Sequence, residues 1–277
     1  MANDFEHGMH QPVMDVLGPE LGAHWRSRTR PAFALRAPYS LTSEEEEWPV
    51  VGQMYGPPSL PVDMPWPEGE DEAYGLEGLY PLTHLATIDC AALPKGVLDF
   101  DLPEDGSLIF FAGDPCFEGR SSKPGATCRL FYIPGSTKTA VRETPEEGIE
   151  FESSRPLRLI SSYDSRLCWY FIEEKYPLPE IDEDSLAKAF DVWNYSRVGG
   201  MDIQIGGHQD PIHGLSRVRT PDGDLRGPHG PNPDEDISVL LASIRDTATN
   251  DLVLHCFIRL RDLKQHRFDD IYYDPEW

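Results

Sequence analysis

Long apolar runs are missing: no stretch approaches the 18 or so residues that a membrane-spanning helix needs. Cysteine is sparse, five residues at 90, 116, 128, 168 and 256 with no CxxC pair, so the close-spaced zinc and redox motifs are excluded. Scattered thiols, odd in number, in a chain long enough to build a large core predict small buried hydrophobes and a reducing cytoplasm. The first residues carry no basic stretch followed by an apolar one, so no signal peptide is expected. Lysine is rare, six of the 24 basic residues, a bias that points to a GC-rich bacterial source. Three catalytic or nucleotide fingerprints are absent: GxSxG, GxGxxG and GxxxxGK[ST].

Acid, glycine and proline are abundant instead. Asp and Glu number 48, for a formal charge of −24 over 277 residues. That field repels a phosphate backbone or an anionic membrane surface and attracts a basic partner. The 23 glycines and 26 prolines break the chain too often for a long-helix bundle, while 10% aromatics argue against wholesale disorder.

Residues 1–48 read as a helical and irregular extension, with Leu17, Leu21 and Trp25 on one helical face and Glu44–Glu47 as a solvated run. Residues 49–81 are dominated by turn formers, Gly56-Pro57-Pro58 and Pro65-Trp66-Pro67 among them, and read as an irregular surface segment. Strands are expected at 82–88, 107–112, 128–133, 157–161, 167–172, 237–244, 252–260 and 270–273. A helical turn is expected at 89–93 and a helix at 182–192. Residues 199–236 return to loop chemistry.

The segment His84-Leu-Ala-Thr-Ile-Asp89 matches Leu240-Leu-Ala-Ser-Ile-Arg245. Each is followed by an apolar strand and preceded, about thirty residues earlier, by a glycine-rich loop: Gly56-Pro-Pro58 and Gly206-Gly207. One such unit cannot bury both faces of its strands; two can. The expected class is therefore mainly β (α+β), with duplicated antiparallel β repeats and short peripheral helices. A single domain over 49–277 would contain two halves, about 49–180 and 195–277.

The stretches GPPSLPVDMPWP (56–67), LTHLATIDCAAL (82–93), LPEDGSLIFF (102–111), IGGHQDPIH (205–213) and 257–273 resemble the YwqG-like family, a bacterial family of unknown function. The resemblance spans roughly residues 50–275 and implies the same duplicated, mostly antiparallel fold. It brings no established reaction. The chain departs from that pattern at His213, where the family has Gln, and at Thr247–Asn250, where it often has Trp-Gly-Asp.

Candidate ligand-binding residues are Trp66, Gln204, His208, His213, Arg259 and Arg261. The loop His208-Gln-Asp-Pro-Ile-His213 carries imidazole and carboxylate, which bind metals, yet its rings need not converge, and backbone capping by His208 is the better reading. Trp66 is either an exposed anchor or a ring packed over a sheet edge with its N–H bonded. Arg259 and Arg261, near Tyr272 and Tyr273, either hold an anion or compensate acidic neighbours. Cys116 is the thiol best placed to react. No catalytic residue, metal or cofactor is assigned.

Two functions are carried forward. One is a non-enzymatic cytoplasmic binding protein, accessory or immunity-like, that holds a protein or peptide partner in a cleft between the repeats. The other is a small-ligand protein or metal-dependent enzyme sited at the Gly-Gly-His loop. The first places Trp66 and His208 at matching positions around a shared groove.

Overall fold

A computed structural model describes Pro19, Ala23 and residues 29–71, 76–113, 127–145, 153–165, 201–209, 238–246 and 252–276. The expected helix at 182–192 and strand at 167–172 lie outside these residues, as do Leu17, Leu21, Trp25, Cys116, His213 and the 219–236 loop.

The strands are β1 (Arg30–Arg36), β2 (Val50–Met54), β3 (Ser59–Pro61), β4 (Glu68–Asp71), β5 (Leu76–Pro81), β6 (Thr83–Asp89), β7 (Ser107–Ala112), β8 (Cys128–Ile133), β9 (Thr139–Val141), β10 (Arg155–Ser165), β11 (Ile203–Gly206), β12 (Ser238–Asp246), β13 (Leu252–Arg259) and β14 (Tyr272–Glu276). A short helix, Leu260–Lys264, follows β13, and a 3-10 turn, Cys90–Ala92, follows β6 with Asp89 capping the Ala91 amide. A ten-stranded antiparallel sheet runs β14-β13-β12-β11-β1-β10-β2-β6-β7-β8. The pairs β3–β9 and β4–β5 form two small ribbons.

Alternation along the strands supplies two buried faces. In β7, Leu108, Phe110 and Ala112 enter the main core, while Ile109 and Phe111 enter a second cluster with Leu60, Leu82 and Ile133. A strand buried on both sides reads as an unbroken apolar run, which is why Leu108-Ile-Phe-Phe111 is so plain in the sequence. The main core lies on one face of the sheet and gathers Phe33, Leu35, Met54, Ile88, Phe110, Ile205 and Leu254.

The strand order is the same from either end. β1 and β10 form the centre; β2-β6-β7-β8 flank it on one side and β11-β12-β13-β14 on the other. The register repeats as well. β6 and β7 carry a bulge between His84 and Ala86, and β12 and β13 carry one between Leu240 and Ala242, the positions that align in sequence. At the middle of the sheet Arg36 pairs with Arg158. The chain is thus a doubled β unit folded about a pseudo-twofold axis through that central pair.

The sheet curls until its edges meet. The Tyr273 hydroxyl on β14 hydrogen-bonds the Leu130 backbone on β8, and burial holds that phenol neutral. Tyr132 of β8 packs on His266 at 5.2 Å and on Phe268 at 5.4 Å, both just before β14.

Four sequence expectations are corrected. Arg30–Arg36 is a strand, one of the central two; its alanines hide it, because Ala32 and Ala34 have little β propensity and are held in place by burial on both faces. Residues 49–81 contain β2, β3, β4 and β5, with Pro61 and Pro81 at strand ends where no donor is missed. Within the expected loop 199–236, Ile203–Gly206 is a fully buried strand. Glu45 is buried rather than solvated: it accepts from the Thr42 amide and pairs with Arg36 at 2.7 Å, and the Thr42 hydrogen bonds, with that guanidinium, hold its carboxyl below the usual range. The thiol expectation also divides. Cys90 and Cys256 are free and buried, whereas Cys128 is disulfide-bonded.

Candidate functional site

Each half of the sheet carries the same glutamine turn. In Gln53-Met-Tyr-Gly-Pro57 the side-chain amide donates to the carbonyls of Tyr55 and Pro57, both at 3.1 Å. In Gln204-Ile-Gly-Gly-His208 it donates to those of Gly206 and His208, both at 2.8 Å. Both turns need two successive left-handed residues: Tyr55 and Gly56 at φ 56 and 70, Gly206 and Gly207 at φ 75 and 73. Register makes the equivalence firm, since Gln53 pairs with Thr87 and Gln204 with Ser243, the aligned residues of β6 and β12. Gln204 and His208 are therefore brought together, and His208 presents its carbonyl to the turn. Its counterpart in the other half is Pro57.

Beside the first turn, His84 is 2% exposed. Its Nδ1 lies 2.8 Å from the Gly56 carbonyl and its Nε2 2.9 Å from Thr87 Oγ1. A neutral ring that donates to the carbonyl and accepts from the hydroxyl satisfies both. Burial pushes its pKa down to about 4 despite the carbonyl, so the ring is uncharged at neutral pH.

An opening lies between the halves. It is a cavity of about 560 Å³, within the range of small-molecule and peptide pockets. The segment from Leu93 to Asp105, which links β6 to β7, forms one wall; Phe33 of the central strand and His266 of the second half form the others. Phe33, Leu93 and Phe100 belong to the main core, with Leu98 and Leu102 packed against it, so the inner wall is apolar. Asp101, Glu104 and Asp105 stand at the cavity with Lys95, whose ammonium donates to the carbonyls of Cys90 and Pro103. The wall is fastened by a 2.6 Å pair between Arg30 and Asp99 and by Tyr132 donating to Asp105 at 3.3 Å. The second glutamine turn touches it too: a Cβ on Gly206 would sit 2.8 Å from Leu98.

A family model described as a domain of unknown function (DUF1963) matches residues 52–276. The chain belongs to this family. No curated protein matches it. The match opens in β2 and closes in β14, so the DUF1963 sheet here is completed from upstream by β1.

On the outer face of this DUF1963 domain sits a polar row of which sequence reasoning named only Gln204. Gln204, Ser243, His255 and Asp274 occupy neighbouring register positions on β11, β12, β13 and β14. Ser243 Oγ and His255 Nδ1 are 2.7 Å apart, and His255 is fully buried. Gln204, Ser243 and His255, with Asp202 and Arg245, line a recess of about 10 Å³, room for one water. The available signal was His255 itself, polar between Val253 and Phe257 in the two-residue period of its strand.

The remaining predicted residues stand apart. Trp66 packs edge-on to Phe111 at 5.6 Å, and its indole N–H donates to the Leu82 carbonyl at 2.8 Å, on the face opposite the main core. Arg259 is held by Asp262 and by Asp270 at 2.6 Å, and Arg267 joins it on Asp262; Arg261 is half exposed, 3.9 Å from the same carboxylate. These guanidiniums gather around one buried aspartate. His213 lies outside the described residues.

Proposed function

We propose that the protein is a non-enzymatic binding protein that holds part of a protein or peptide partner in the cavity between its two related halves. The observation that carries this reading is that the cavity's walls come from the first half, the central strand and the second half together. A duplicated scaffold that meets a linking loop at a central opening is suited to recognition, which concentrates on loops fixed by a rigid frame. An accessory or immunity-like role toward a secreted protein is one form of this function, and the proline-tryptophan loop and the LPEDGSLIFF block support a place among the bacterial YwqG-like members of the family. Cytoplasmic residence does not follow from the thiols, because Cys128 is disulfide-bonded.

The test fills the cavity. Leu102→Trp adds an indole at a partly buried wall position, and binding to a peptide library is measured against wild type by fluorescence anisotropy. Peptides that bind wild type and lose affinity on Leu102→Trp support the reading; a library with no binder, or binders indifferent to the substitution, sinks it.

A further inference from the structure

We infer that the cavity is an arginine pocket: it takes the side chain of an arginine on a basic segment of the partner, the aliphatic stem against Phe33, Leu98 and Phe100 and the guanidinium held by Asp101 and Glu104. The inference rests on the binding function above and adds the chemistry of the anchor.

Three observations converge on it. First, the wall is divided by character: Phe33, Leu93 and Phe100 are buried in the core, whereas Asp101 and Glu104 are exposed at the opening. An occupant must therefore join an apolar stem to a cation. Second, these two carboxylates are uncommitted. Among the described residues neither has an ion pair or a hydrogen bond, while Asp105 accepts from Tyr132 and the Lys95 ammonium is turned onto two carbonyls. One ammonium faces three carboxylates, so the opening is net negative within a chain of charge −24. Third, the space exceeds a single side chain, so a residue and its flanking backbone enter more readily than a lone ion. Guanidinium suits this place better than ammonium. It is planar and weakly hydrated, bridges two carboxylates through parallel N–H bonds and stacks on aromatic faces.

The full chain is titrated with three 12-residue peptides of one Gly/Ser/Phe scaffold that carry arginine, citrulline or glutamate at a central position. Citrulline keeps the shape and hydrogen-bonding edge of arginine without its charge. The arginine peptide should bind about tenfold more tightly than the citrulline peptide at low salt. That advantage should shrink toward twofold or less in 0.5 M salt and vanish in the Asp101→Asn, Glu104→Gln double variant, a conservative surface change. Leu102→Trp should weaken both peptides. Equal affinity for arginine and citrulline, with both still sensitive to Leu102→Trp, overturns the arginine pocket and leaves the cavity as a binding site. Loss of all binding, or binding indifferent to Leu102→Trp, overturns both. Arginine ethyl ester bound as tightly as the peptide assigns the cavity to a free small cation and overturns the peptide anchor.

Discussion

Gln53 and Gln204 do the same work on opposite sides of the sheet: each bonds the carbonyls two and four residues ahead, across a pair of left-handed residues. Gln53→Leu and Gln204→Leu each remove two donors from inward-facing carbonyls at nearly constant volume. Each should lower stability by about 1–3 kcal/mol, measured by urea denaturation. The two residues lie three strand spacings apart, roughly 14 Å across the sheet, and are offset along the strands as well. The double variant should therefore lose the sum of the single losses to within about 0.5 kcal/mol.

The duplication was legible because it is written in apolar side chains. His84–Asp89 and Leu240–Arg245 match where both segments face one core, and β7, β8 and β13 show themselves as β-branched and aromatic runs. β1 was hidden for the converse reason: its conformation is imposed by neighbours on both sides and not by its own residues. β4, Glu-Gly-Glu-Asp, has no strand propensity at all and exists through its pairing with β5. The cavity was equally illegible. Phe33, Leu98 and His266 are far apart in sequence and converge only when the sheet curls.

His84 should make the protein acid-sensitive in a defined window. Its folded pKa, about 4, lies below the ordinary value of 6.5, so the unfolded chain takes up the proton first. The stabilisation is complete above about pH 6.5 and is lost progressively as the pH falls toward 4, amounting to about 3 kcal/mol. His84→Leu places there the residue that stands at position 240 in the other half. It should cost about 1–2 kcal/mol at pH 7, because the Gly56 carbonyl loses its donor, and should flatten the stability profile between pH 6.5 and 4. Denaturant midpoints across that range decide it; an unchanged slope would show that His84 is not the group responsible.

Gly96 and Gly206 both have left-handed backbones, at φ 69 and 75, but only one is crowded. A Cβ on Gly96 meets nothing within 4 Å, whereas one on Gly206 would lie 2.8 Å from Leu98 and 3.1 Å from the Pro31 carbonyl. Gly96→Ala should cost about 1 kcal/mol, the backbone term alone. Gly206→Ala should cost about 2–3 kcal/mol and push Leu98 toward the cavity, weakening peptide binding as well. Melting curves and anisotropy titrations on the same preparations separate the two.

The free cysteines should resist alkylation in the native protein. Burial pushes the Cys90 thiol up to about 12 and the Cys256 thiol higher still, so neither supplies thiolate at pH 8. Peptide mapping after iodoacetamide treatment should find both unlabelled until denaturant is added. Cys128 should label only after reduction as well.

The meeting of the sheet edges ties the cavity to the fold. Tyr132 of β8 touches two residues of the cavity wall, donating to Asp105 and packing on His266, and it also packs on Phe268 ahead of β14. Among the described residues β8 and β14 have a strand neighbour on one side only, so they are the strands of this sheet most easily parted. Tyr132→Ala removes the ring and the hydroxyl together. Hydrogen exchange should then rise at 128–133 and 272–276 and stay unchanged at the central strand, 30–36. The affinity of any cavity ligand should fall in the same variant, because two of its wall residues lose their support. Tyr273→Phe is the milder control: it removes the bond to the Leu130 backbone, keeps the ring, and should cost about 1 kcal/mol with the same regional pattern. Exchange that rises evenly over all strands would mean the edges are not an independent unit, and binding could not be governed from them.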